Sequence, residues 1–193
     1  RLPREKIKYF KEATEAFKAN KNVTKKLINS GADKSTSIEI AYELQAGEYT
    51  KNFNDHNLRR NKEIHKIINK YLSLSDIDSV GVLGVGEAKN WIGYEGKLNN
   101  FIGIELSFSR LRYAHHNLTK VSGIKNFQLI KGDATNMILQ ENCIDMSITL
   151  HSIEPNGNSE GKKMIENAIN SASKYVLLFE PDFSTAPNNM KER

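Results

Sequence analysis

Cysteine occurs once in this 193-residue sequence, at Cys143. A single thiol supports neither an intramolecular disulfide framework nor a cysteine-rich zinc site. The chain has no apolar run of about 18 residues, which excludes a transmembrane helix. No stretch near its start has the apolar centre of a secretory signal. Aromatic residues make up 8% of the chain, and tryptophan occurs only at Trp91. Proline is scarce, with four residues. The length nevertheless suits one domain with an appendage, and it buries roughly 70% of the unfolded surface without covalent staples. A cytoplasmic protein without a membrane partner is expected.

Charge is present in excess of one sign, but unevenly. Residues 1–75 carry 16 Lys and Arg against 9 Asp and Glu, whereas residues 76–193 carry 12 against 14. The basic character therefore belongs to the first third. Such asymmetry can mark a surface for RNA or another anionic partner. The cations alternate with Glu at helical spacings, which is also how a solvated helical face is built. Few aromatics stand among them (Tyr9, Phe10, Phe17), so a platform for stacking single strands is poorly supported.

The first third reads as helix. Between Arg4 and Ile28, the residues Ile7, Phe10, Ala13, Ala16 (or Phe17) and Val23 recur near a 3.6 period, and Asn29-Ser30-Gly31 is a stop signal. Ser37 can cap a second helix running through Glu43, and Leu58–Leu74 forms a third amphipathic stretch. From Ser79 the rhythm changes. Apolar runs at 79–85, 101–106, 127–130, 144–150 and 175–179 alternate with helix candidates at 88–94, 107–118, 134–139 and 159–172. This alternation predicts an α/β fold: a Rossmann-like, doubly wound, mostly parallel sheet with helices on both faces, preceded by a helical extension. The expected division is residues 1–75 as extension or lid and 76–193 as the sheet domain. All carboxyl ends of the strands would share one edge, where such folds bind ligands.

Three features fall on that edge. The segment Val80-Gly81-Val82-Leu83-Gly84-Val85-Gly86-Glu87-Ala88 reads as a strand running into a glycine turn that opens a helix. Glycine there lets a ligand approach the backbone, and a helix start offers free N–H groups. Lys89 stands where the dinucleotide fingerprint needs its third glycine, which argues against a nicotinamide enzyme. Glu105 ends the next run, 21 residues after Gly84. It can accept two hydrogen bonds from a ribose diol, or serve as the acid before a helix. Asp133, in Gly132-Asp133-Ala134, can cap the following helix and accept the exocyclic amine of an adenine.

In this order and spacing, with Asp145 entering the fourth run, the sequence resembles the class I S-adenosylmethionine-dependent methyltransferases over roughly residues 38–182. The resemblance implies a seven-stranded sheet with S-adenosylmethionine across its carboxyl edge. It implies that Gly84, Val85, Gly86, Glu87, Glu105, Leu106, Asp133 and Ala134 contact this cofactor, with Met137 and Ile138 packing on adenine or filling core. Two departures stand out. The family usually has an acid where this chain has Val82; Glu87 is the expected substitute. Only about a dozen residues follow the fifth run, too few for two more strands, so the natural protein is expected to be longer.

Several groups are candidates for the acceptor side. His151 and Glu154, in Leu150-His151-Ser152-Ile153-Glu154-Pro155-Asn156, are the expected acid–base pair, or else polar residues of a turn. Glu180-Pro181-Asp182-Phe183 follows the fifth run and adds carboxylates for a hydroxylated or cationic substrate. Tyr42 and Tyr49 are seven residues apart in a segment that resembles the lid helix of small-molecule methyltransferases, with Gly47 interrupting it. Arg110, just past Glu105 on a helix, can reach an anionic acceptor, but a solvated side chain is the preferred reading. No metal site is expected, since His115 and His116 are adjacent and His56 and His65 lack partners at ligand spacing. Two functions fit these residues. One is methylation of a small polar metabolite, with a sugar-like hydroxyl as acceptor. The other is a degenerate methyltransferase fold that binds RNA or an anionic partner through its basic third.

Overall fold

A computed structural model of the chain describes residues 4–74, 76–136, 139–182 and 184. Five strands form one all-parallel sheet: β1 (Ser79–Leu83), β2 (Leu98–Glu105), β3 (Ile124–Lys131), β4 (Ile144–Leu150) and β5 (Ala172–Phe179), in the order β3-β2-β1-β4-β5. The strand order reverses at β1, so its end, with that of β4, borders the crevice where such sheets bind ligands. Helix α6 (Phe108–Leu118) connects β2 to β3, and helix α7 (Gly157–Ser171) connects β4 to β5. Among the described residues, no helix is long and apolar enough to cross a membrane.

Alternation along the strands separates two apolar layers. Val80, Val82, Phe101, Met146 and Ile148 face a core shared with α6 and with α5 (Asp55–Leu72). Leu83 and Ile104 face Met164 and Ala168 of α7. Val82, where the family carries an acid, is wholly buried in the first layer. The N-terminal helices α1 (Arg4–Lys18), α2 (Val23–Asn29) and α3 (Lys34–Gln45) have a small core of their own around Ala13, Ala16, Leu27 and Ile40. The basic first third thus packs as two groups: α1 to α3 cluster together, and α5 joins the sheet.

Local chemistry corrects three expected helices and the cap of a fourth. The predicted helix from Arg4 to Ile28 breaks after Lys18, where Asn20 takes a left-handed φ of 52° and Asn22 caps α2. The glycine turn does not open an α-helix; only a single 3-10 turn, Lys89–Trp91, follows it. Residues 134–136 form a turn rather than the start of a helix, and Met137 and Ile138 lie outside the described residues. Asp33, not Ser37, caps α3 by accepting from the Thr36 N–H at 2.8 Å.

Asp145 ties the amino ends of three strands. Its carboxylate accepts from the N–H groups of Asp78 (2.9 Å) and Ser79 (3.0 Å) and pairs with Lys174 at 3.0 Å. Burial pushes this carboxyl up, but those N–H groups and Lys174 outweigh it and hold the pKa at about 2, below an ordinary 3.8. A depressed carboxylate stabilises the fold above its unfolded pKa and loses that contribution as pH falls through the folded one. Asp145→Asn is therefore expected to lower stability by about 2 kcal/mol at neutral pH. In urea titrations of both proteins, this gap should shrink between pH 4 and pH 2. A gap that ignores pH would refute the assignment.

Candidate functional site

The carboxyl edge carries the sequence motifs together. After β1, the chain turns through Gly84 (φ 73°) and Gly86 (φ 60°), conformations that favour glycine. The Gly84 and Val85 N–H groups donate to the Ile104 carbonyl at 2.9 Å, which pins the turn to the end of β2. Beside it, Glu105 is 3% exposed. One of its oxygens accepts from the Gly86 N–H and the other from the Ser107 N–H, both at 2.9 Å. Ser107 in turn caps α6 by accepting from Arg110 N–H. Glu105 thus braces the start of α6, and each of its oxygens keeps a further lone pair.

Asp133 lies on the neighbouring loop. It accepts from the Thr135 N–H (3.0 Å), the Thr135 hydroxyl (2.7 Å) and the Ser35 hydroxyl (2.7 Å). Burial raises its pKa, but these donors prevail and keep it below the ordinary value, so it is an anionic acceptor. Asp133 lines a cavity of about 300 Å³ with Leu106, Ile38, Thr135 and Asn136. Ala134, next in the chain, anchors α7, its carbonyl accepting from Asn167 at 2.8 Å.

Glu87 departs from expectation. Its side chain turns away from the groove and is 1% exposed. One oxygen accepts from the Gly47 N–H at 2.8 Å, and the other from the Thr50 N–H at 2.7 Å and the Thr50 hydroxyl. It cannot stand in for the acid missing at Val82. It instead fastens a strap made of α3, Gly47 and the short helix α4 (Glu48–Lys51). Gly47 has φ 95°, and a Cβ there would strike the Tyr113 ring at 2.5 Å, so only glycine fits. That break puts Tyr42 and Tyr49 on two separate helices.

The strap touches every loop from β1 to β4. Glu43 accepts from the Ser109 N–H at 3.2 Å, Ser35 binds Asp133, and Lys34 donates to the Asn156 carbonyl. Buried Glu39 pairs with Lys131 at 2.8 Å and with Lys6. None of Lys34, Ser35 or Glu43 stands out in the sequence, because their partners lie 66 to 122 residues away.

Arg110 is not a solvated residue. Its side chain is 14% exposed, with its guanidinium 4.4 Å from the Tyr42 ring and 5.4 Å from that of Tyr49. It reaches within 4.0 Å of Glu105, and a Cβ on Gly86 would fall 2.8 Å from it. The guanidinium thus stands in front of the glycine turn on a long, rotatable side chain.

On the other side of β1, His151 follows β4 with a left-handed φ of 53° and donates its N–H to the Phe179 carbonyl. A non-glycine residue in this region is a strained outlier of the kind concentrated at functional sites. Its side chain reaches solvent, yet desolvation and the Arg60 charge lower its pKa, against Glu180 and Glu154. Glu180 accepts from the N–H groups of Ser152 (3.1 Å) and Ile153 (3.3 Å), which makes it a brace for the β4 loop. Glu154 sits in a 3-10 turn, Glu154–Asn156, where its charge is felt by both His151 and Tyr42. Phe183, expected in the loop after β5, lies outside the described residues.

The fold is that of the class I S-adenosylmethionine-dependent methyltransferases. Magnesium protoporphyrin IX methyltransferase from Synechocystis PCC 6803, crystallised with bound S-adenosylmethionine, shares it with a TM-score of 0.60 at 14% identity, over 76% of each chain. YjhP from E. coli matches with a TM-score of 0.52 at 15% identity, over 70% of this chain and 53% of that one. No family model and no curated protein matches the sequence. At such identities the likeness concerns the fold, and acceptor identity is left to the site's own chemistry.

Glu87→Ala would leave the Gly47 and Thr50 donors without their acceptor. Amide exchange of residues 45–52 should then accelerate, with a stability loss of about 2–3 kcal/mol. Exchange unchanged in that segment would show that the strap is held by other contacts.

Proposed function

We propose that the chain is an S-adenosylmethionine-dependent methyltransferase acting on a small polar metabolite, with a hydroxyl of a sugar-like compound as acceptor. The observation that carries this reading is Glu105, buried at the end of β2 and hydrogen-bonded to the Gly86 N–H at 2.9 Å. A carboxylate fixed at that place meets a ribose diol where the glycine turn lets the ligand approach. The neighbouring cavity fits an adenine, with Leu106 and Ile38 as apolar wall and anionic Asp133 as acceptor for its amine. Arg110 swings away from Gly86 when the cofactor enters, a rotation its side chain can make without moving backbone.

Bound S-adenosylmethionine supplies an electrophilic methyl whose bonding pair stays on sulfur as the group leaves. The protein's own part is alignment and proton removal. His151, kept neutral near physiological pH, takes the proton of the acceptor hydroxyl as its oxygen forms the new bond to carbon. The charges of Glu180 and Glu154 offset that of the imidazolium that results. Tyr42 and Tyr49 on the strap exclude water from the reacting centre.

Calorimetric titration with S-adenosylmethionine, with NAD and ATP as controls, tests the reading. Micromolar binding of the methionine cofactor alone supports it, and absence of binding overturns it. Glu105→Ala removes charge-assisted hydrogen bonds of about 1.5–3 kcal/mol. Cofactor affinity should fall roughly 10- to 100-fold. With an acceptor found by screening for methyl transfer, His151→Ala should lower kcat by about 100-fold and leave cofactor affinity intact. An unaltered kcat would remove His151 from the chemistry.

A further inference from the structure

The two carboxylates assigned to the cofactor are already met by the protein itself. An ionised carboxylate has about four lone-pair sites. Asp133 has a donor for each. Its Oδ1 accepts from the Thr135 N–H (3.0 Å) and hydroxyl (2.7 Å), and its Oδ2 from the Ser35 hydroxyl (2.7 Å) and the Asn136 amide (3.2 Å). An incoming amine therefore has to displace one of them. Three belong to the loop that bears Asp133. The fourth, Ser35, belongs to the strap and lines the same cavity as Asp133.

Glu105 keeps free lone pairs, but Arg110 stands in the approach to them. One guanidinium nitrogen is 4.0 Å from Oε2, and a Cβ on Gly86 would fall 2.8 Å from another. The opening that glycine leaves at this turn is thus filled by a cation. Its hold is loose. Arg110 Nε is buried without a hydrogen-bond partner among the described residues. The guanidinium rests over the Tyr42 ring at 4.4 Å and near the Tyr49 ring at 5.4 Å. Both rings belong to the strap, so both carboxylates are covered from the one segment.

We propose that the strap is an internal competitor of the cofactor: Ser35 occupies Asp133 and Arg110, backed by Tyr42 and Tyr49, occupies the approach to Glu105 until S-adenosylmethionine displaces both. This inference rests on the methyltransferase reading and adds a latch to its site. Release needs only side-chain rotation at Ser35 and Arg110. The strap's anchors, Glu87 on Gly47 and Thr50 and Glu39 on Lys131, involve neither Asp133 nor Glu105 and stay in place. A ligand that must displace such a latch has its affinity reduced by the fraction of molecules in which the latch is open. Removing the latch therefore strengthens binding, whereas removing an ordinary contact weakens it.

Calorimetric titration of S-adenosylhomocysteine into the natural chain, Ser35→Ala, Arg110→Met and the double variant tests it. The sulfur of this ligand is uncharged, so loss of Arg110 does not act by relieving repulsion of a sulfonium. Methionine keeps an apolar stem beside Tyr42. Each single variant should bind about three- to tenfold tighter, and the double variant tighter still. Ser35→Thr, which keeps the hydroxyl, should stay within about twofold of the natural chain. Binding seen only in the double variant supports the latch in its strongest form. A single variant whose binding is unchanged or weaker overturns the latch at its carboxylate. Ser35 is half-buried on the surface of α3, so its alanine variant decides the matter even if Arg110→Met fails to fold. A gain from Asn136→Ala in place of Ser35→Ala also overturns it, because the amine then displaces the loop and not the strap. Binding to the natural chain with no gain in any variant overturns the latch alone. No binding in any of these proteins overturns the latch and the methyltransferase reading together.

Discussion

A carboxylate buried to 1% exposure has to find donors, and Glu87 finds them in the strap. Its two oxygens take the Gly47 and Thr50 N–H groups and the Thr50 hydroxyl. Its backbone carbonyl takes Asn117 of α6 at 2.8 Å, and the same Asn117 amide donates to the Thr50 hydroxyl at 3.0 Å. The glycine turn, the strap and α6 are thereby joined through one residue. The position of Tyr42 and Tyr49 over Arg110, and hence the shape of the groove's mouth, follows from that junction. Ser35 on Asp133 and Glu43 on Ser109 repeat the same logic on the other loops, with weaker, more exposed groups.

The sheet was legible because its signals are local. Five apolar runs separated by polar, helical stretches specify a parallel order, and all five strands overlap the predicted runs. The placement of Glu105 and Asp133 at the sheet edge was legible for the same reason: Glu105 ends β2, Asp133 follows β3, and strand ends lie at one edge. The helix expected after the glycine turn was not, because Glu87 is drawn to Gly47 and the chain at Ala88 adopts a left-handed φ of 53°. The strap's contacts carry no pattern in the sequence at all. Arg110 was misjudged because its spacing on α6 says which face it occupies, and nothing local says that Tyr42 covers that face.

The two sides of the β1 end differ in character. Toward β2 and β3, groups are satisfied: Glu105 and Asp133 hold their backbone and hydroxyl donors in place. Toward β4 and α5, Arg60 and Lys89 have no carboxylate within ion-pair distance among the described residues, and His151 holds a left-handed φ of 53°. A satisfied half suits a constant ligand recognised by fixed hydrogen bonds.

The strap also bears on when the molecule becomes complete. Its residues, 34–51, leave the ribosome before any strand of the sheet, yet their partners reach from Glu87 to Asn156. Contacts this distant in sequence close late, after the loop entropy between them has been overcome. During synthesis α1, α2 and the Ile40 face of α3 can gather on their own, while the strap's contacts to the loops wait for more than a hundred residues to emerge. The roof is thus made before the sheet and seated after it.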